Sequence, residues 1–198
     1  MDLECPRPLS LSDTPVRLAA ARTAGSDGTA RVVVEEGADA LALNGYPDFD
    51  PAAAAPEPVL LFDFSSGDDF EDAEVSGLSA LDLNRDGLDD LIVFFEFGDP
   101  LVLVQNAEAA FDRVVAEGLF AGLLEGASDR LIGSGTLTDE GEPVTLVVKD
   151  NFVRSFYLDE DGAVRVTEQF NARGARPRLR DAVVVDMGRG DAREVAVL

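Results

Sequence analysis

Histidine and tryptophan are missing from this 198-residue chain, and cysteine and lysine occur once each, as Cys5 and Lys149. The absence of histidine removes the commonest general base, the usual serine–histidine triads and most catalytic zinc sites. One cysteine excludes an intrachain disulfide, zinc fingers and haem attachment through Cys-x-x-Cys-His, and leaves Cys5 either free or bonded to another chain. No apolar run approaches the roughly 20 residues that cross a bilayer, so membrane insertion is not expected. Residues 1–15 lack the basic start and apolar centre of a signal peptide, which leaves a cytosolic protein or a form whose signal has been removed. No glycine-rich phosphate loop follows a strand and opens a helix.

Positive charge is also scarce. Sixteen Lys and Arg stand against 39 Asp and Glu, a net charge of −23. Such a surface repels phosphate backbones and anionic lipid, which argues against nucleic acid as a partner. The length suits one domain, or part of one, with a sizeable core.

What the chain does have is one stretch of dense polar order, Asp82-Leu83-Asn84-Arg85-Asp86-Gly87-Leu88-Asp89-Asp90. Asp82, Asn84, Asp86 and Asp90 fall at positions 1, 3, 5 and 9, Gly87 supplies a sharp turn, and the Leu88 carbonyl offers a further oxygen. A hard cation takes six to eight oxygen ligands at about 2.3–2.6 Å, so the spacing points to a metal loop with calcium as first candidate. An empty Asp/Asn/Gly turn is the plainer alternative, at the cost of three carboxylates repelling one another. An EF-hand starts the same way but needs a bidentate Glu at position 12, where Val93 stands, and helices on both sides. Here Gly77–Leu81 precedes the loop and Leu91–Phe95 follows it, which reads as strand, loop, strand.

Sliding that loop along the chain finds three degenerate copies, each followed by an apolar run. The four loops begin at residues 23, 82, 136 and 186, spaced 59, 54 and 50 apart. A period near fifty, with strand rather than helix periodicity, marks propeller blades. The expected strands in the first unit are Val16–Ala20, Arg31–Val34, Ala40–Leu43 and Val59–Phe64, with a Pro/Ala-rich insertion from Gly45 to Pro58. In the second they are Leu78–Leu81, Leu91–Phe95, Leu101–Val104 and Phe111–Val115. The third has Leu131–Gly135, Thr145–Val148, Val153–Leu158 and Ala163–Thr167, with Asp159-Glu160-Asp161-Gly162 as a hairpin turn. The fourth has only Ala182–Val185 and Val195–Leu198. Short helical turns are expected at Ala107–Ala110 and Gly118–Leu124. The fold class is therefore all-β: a β-propeller of four-stranded antiparallel blades, about three and a half in this chain, in units of about 16–64, 77–117, 130–168 and 180–198.

The succession Leu81-Asp82-Leu83-Asn84-Arg85-Asp86-Gly87, Asp89-Asp90-Leu91-Ile92-Val93, Gln105-Asn106 and Phe111-Asp112-Arg113-Val114 resembles the FG-GAP/VCBS repeats of β-propellers, among them the integrin α-subunit head. That resemblance implies calcium in the loop, a location outside the cytoplasm (extracellular, periplasmic or cell-surface), and a recognition or scaffold role. Because propellers close with about four to eight blades, three and a half are expected to need further blades or another protein chain to complete the ring, with a protein or a glycan as ligand. The other units depart from the pattern. Thr23, Gly25, Asp27 and Arg31 in the first, and Thr136, Thr138, Glu140 and Val144 in the third, are poor ligand sets; Arg31 could supply a positive charge in place of a metal. The fourth retains Asp186, Asp191 and Glu194, a weak second metal site. One strong site is expected, not four.

Catalysis has little to build on. Asp63, Asp68, Asp69, Glu71, Asp72 and Glu74 could form a carboxylate pair for glycoside chemistry, but such a run reads as a solvated loop. The chain is expected to be non-catalytic. The alternative is a part or subunit of a propeller enzyme (lyase, hydrolase or oxidoreductase) whose catalytic residues lie outside these 198.

Overall fold

Apolar residues, many of them β-branched, recur at alternate positions or in short continuous runs and build the strands of the described residues. The computed structural model describes residues 14–24, 29–36, 41–46, 57–66, 70, 73–137, 141–174, 177–185 and 193–198. Sheet one contains β1 (Thr14–Arg22), β2 (Thr29–Glu36), β3 (Leu41–Tyr46) and β4 (Val59–Asp63). Sheet two contains β5 (Val75–Leu81), β6 (Asp90–Phe95), β7 (Leu101–Gln105) and β8 (Phe111–Val114). Sheet three contains β9 (Ile132–Thr136), β10 (Pro143–Lys149), β11 (Phe152–Leu158) and β12 (Val164–Asn171). Sheet four is the pair β13 (Ala182–Val185) and β14 (Glu194–Val197). Each sheet is an antiparallel meander with its strands in chain order. The protein is all-β; among the described residues the helical elements are one short α-helix, α1 (Leu119–Leu124), between β8 and β9, and a 3-10 turn at Phe64–Ser66.

The sheets pack face to face in the order of the chain, and period-two alternation feeds two cores from one strand. In β6, Leu91 and Val93 point into the core shared with sheet one, while Ile92 and Phe94 point into the core shared with sheet three. All four are essentially inaccessible, each contributing roughly 1.5–3 kcal/mol of burial. β10 behaves alike: Val147 joins the core with sheet two, and Val144, Leu146 and Val148 form the core with sheet four. The first strands are neighbours in series, β1 against β5, β5 against β9, and β9 against β13.

Several local readings change. Gly45 and Tyr46, assigned to an insertion, finish β3, and Tyr46 is buried with its hydroxyl donating to Glu35 at 2.7 Å. Glu35 is itself fully buried and also accepts from Asn44 Nδ2 at 2.5 Å. Residues 107–110 form a hydrogen-bonded turn instead of a helical one, because Asn106 Oδ1 accepts the Glu108 and Ala110 N–H groups. The helical turn at Gly118–Leu124 is α1, which exists because Phe120, Leu123 and Leu124 fill the gap between sheets two and three. Cys5, the acidic residues Asp68, Asp69, Glu71 and Asp72, and most of the insertion lie outside the described residues.

The β11–β12 turn yields a pH prediction. Asp159 Oδ1 accepts from Ala163 N at 2.8 Å and Oδ2 from Arg165 Nε at 2.7 Å, and these bonds hold its carboxyl below the usual range. A depressed carboxylate stabilises the fold above its ordinary pKa and loses that contribution as pH falls through the lowered value. Asp159→Ala should therefore be less stable than wild type near pH 7, with the gap narrower at a pH below the ordinary carboxylate value, such as pH 3. Urea midpoints at both pH values check this; a gap constant with pH would contradict it.

Candidate metal loop

The loop between β5 and β6 winds itself from its own side chains. Asn84 Oδ1 accepts from Asp86 N at 3.1 Å and Asp86 Oδ1 from Leu88 N at 2.8 Å, two successive Asx turns. Asp82 Oδ2 accepts from Gly87 N at 3.1 Å, and Asn84 Nδ2 donates to Asp86 Oδ2 at 2.9 Å. Gly87 sits at φ 89°, where a side chain is disfavoured although nothing would obstruct one. Arg85 takes the same left-handed region at φ 66° without being glycine.

Asp90, at the ninth position, holds the loop in place. It is 0% exposed, and its two oxygens accept from Leu83 N at 2.8 Å and Gln105 N at 2.9 Å, tying the loop to β7. Burial pushes its carboxyl up to about 7 despite these two donors. Asp82 is 7% exposed and burial raises its carboxyl as well. Asp82 Oδ1 is buried and has no hydrogen-bond partner.

Both neighbouring sheets grip the loop. On one side Asp89 Oδ2 accepts from Arg22 N at 2.7 Å, and its Oδ1 accepts from Arg22 Nη2 at 2.6 Å. The Gln105 side chain adds bonds to Ala24 N and to the Arg22 and Asp89 carbonyls. On the other side Arg85 lies 3.5 Å over the Tyr157 ring and donates to the Pro143 carbonyl and Glu142, each at 2.9 Å. Leu158 N also donates to Leu83 O at 2.7 Å. Sequence reasoning missed Asp89, Arg85 and Gln105. The Asp89-Asp90 doublet carried a usable signal, since adjacent side chains entering a strand point to opposite sides.

Asp82, Asn84, Asp86, Leu88 and Asp90 thus share one loop, but Asp86 and Asp90 have their oxygens engaged by N–H groups. Among the described residues no three His, Cys, Asp or Glu side chains are drawn together as a ready ligand cluster. The donor set still fits a hard cation: each carboxylate oxygen keeps a lone pair, and Asp82 Oδ1 is wholly unused. The nearest cationic group is Arg22, 3.9 Å from Asp82 Oδ2 and already paired with Asp89. Of the residues expected to form a weak second metal site, Glu194 begins β14 half-buried, while Asp186 and Asp191 lie outside the described residues. The same holds for Gly25, Asp27, the Arg31 side chain, Thr138 and Glu140. Val144 is buried in β10, facing sheet four. Of the acidic run, Asp63 accepts from Ser65, and the exposed Glu74 shares a hydrogen bond with Glu96 that raises its carboxyl.

In comparisons with known proteins, no family model matches the chain and no curated protein matches it significantly.

Proposed function

We propose that this chain is a calcium-binding β-propeller of the FG-GAP/VCBS kind, acting without catalysis as a recognition or scaffold module outside the cytoplasm. The observation that carries the reading is Asp82 Oδ1, a buried carboxylate oxygen with no partner, in a loop whose other donors stand at positions 3, 5, 7 and 9. An unpaired buried acceptor is costly, and a cation coordinated by Asp82, Asn84, Asp86, Asp90 and the Leu88 carbonyl would satisfy it. It would also favour the ionised forms of Asp82 and Asp90, both displaced upward by burial. The propeller reading is supported by repeated antiparallel meanders whose first strands adjoin in series. Propellers close with about four to eight blades; the described residues hold three four-stranded sheets and a pair, which supports further blades or another chain as the completion of the ring.

Calcium at about a hundred times its Kd should stabilise the fold by roughly 2.7 kcal/mol, near 5–10 °C in Tm, and a chelator should reverse this. Asp86→Ala should remove most of the calcium response, because its exposed carboxylate serves only the loop. Calorimetric titration should find one tight calcium per chain. No heat of binding, together with equal melting in calcium and chelator, would end the proposal.

A further inference from the structure

The outer side of the molecule carries a groove that the cation loop does not explain. It lies between α1 and the β11–β12 turn, has a volume of about 440 Å³, and is lined by Val115, Glu117, Leu119, Phe120, Asp161 and Val164, among others. Val115 is 68% exposed and Leu119 51% exposed. The reason is geometric: α1 spends Phe120, Leu123 and Leu124 on the core between sheets two and three, leaving Leu119 on its outward side. Phe120, held 6.0 Å from Phe156 between ring centres, forms the floor.

The charge at the rim decides what can enter. Both charged residues of the lining, Glu117 and Asp161, are acidic, and Asp159 and Glu160 precede Asp161 in the same turn. The nearby Arg165 does not neutralise them, because it is folded back onto Asp159 at 2.6 Å. A lipid surface or a nucleic acid would meet repulsion from a chain of net charge −23. We infer that this groove docks a cationic amphipathic segment of a partner protein, with large apolar side chains against Val115, Leu119 and Phe120 and flanking Lys or Arg facing Glu117 and Asp161. This matches the helix-in-groove and charge-complementary modes of recognition. The inference rests on the recognition role proposed above but not on the cation.

The test uses a short helical peptide of leucine and lysine and a scrambled peptide of identical composition, titrated into the whole protein in saturating calcium. Saturable one-to-one binding is expected, with the scrambled peptide at least about tenfold weaker, since charge alone cannot supply the apolar contacts. Val115→Glu/Leu119→Glu should weaken binding about tenfold or more, while Phe97→Glu should change it less than about twofold. Both substituted positions are exposed, so an unchanged melting curve shows that the fold has survived. Equal binding by the scrambled peptide, or by the groove variant, would overturn the inference. So would light scattering that shows a dimer abolished by Leu119→Glu, because a second copy would then be the occupant. A calcium titration of the same samples separates this outcome from failure of the metal reading.

Discussion

Asp90→Ala is expected to destabilise the protein far more than Asp86→Ala, and to do so in the absence of calcium. Its carboxylate is the acceptor for two buried backbone donors, Leu83 N–H and Gln105 N–H. Alanine would leave both unpaired, at about 1–3 kcal/mol each, so a loss of roughly 2–6 kcal/mol follows. Relief of the buried carboxyl, whose pKa stands near 7, offsets part of this near neutral pH. Asn at the same place should fall between the two, since its oxygen can accept one N–H while its amide opposes the other. Asp86 is exposed and supports only local turns, so Asp86→Ala should cost about 1 kcal/mol or less without calcium. Urea denaturation of the three variants in chelator measures this directly. An Asp90→Ala protein within about 1 kcal/mol of wild type would mean that Leu83 and Gln105 find other acceptors. The comparison matters for function because it separates the residue that builds the loop from the residue proposed to serve a cation in it.

The second large effect is expected at Gly135. This residue lies in β9 opposite Val144, and a Cβ built on it would fall 2.8 Å from Val184 Cβ in β13, with a methyl of Val184 closer still. Real Cβ atoms do not approach so closely, so Gly135→Ala must push the β13–β14 pair away from sheet three. Overpacking of this kind costs about 1–3 kcal/mol and can exceed it, and here it opens the core formed by Val144, Leu146, Val148, Val184 and Val195. We expect a loss of about 3 kcal/mol, with amide exchange accelerating first in β13 and β14. Pairing Gly135→Ala with Val184→Gly should cost less than the sum of the single changes, because the clash is shared between them. Strict additivity would show that the two residues do not meet. Gly77 offers a contrast: its added Cβ would meet the side chain of Asp129, at 2.9 Å from Cγ, and a side chain can rotate away more readily than a sheet can shift. Gly77→Ala should therefore be the milder substitution.

The sequence by itself determined the strands. Leu91-Ile92-Val93-Phe94 is apolar throughout and Val144 to Val148 is apolar except for the buried Thr145, and such runs are stable only where both faces of a sheet are covered. The nine-residue loop was equally legible, because its turns are local: Asn84 and Asp86 bond backbone groups two residues away, and Gly87 adopts its positive φ within the same span. The all-β class follows from these short-range rules.

Tertiary structure decided what each polar residue faces. Glu35 lies just beyond the expected strand Arg31–Val34, yet it is enclosed by Asn44 and Tyr46, partners nine and eleven residues on. Arg85 occupies the fourth position of the loop, which no ligand spacing uses, and its reach to Glu142, Pro143 and Tyr157 exists only because sheet three packs beside sheet two. Asp90 looks like a ligand by spacing, but the approach of β7 makes it an acceptor for Gln105 N–H first. Gly135 carries no special backbone angle; its need for a missing side chain comes from β13 alone. The division has one physical cause. Periodicity and turn chemistry act over a few residues along the chain, whereas burial, desolvation and close approach depend on which sheet lies across the core.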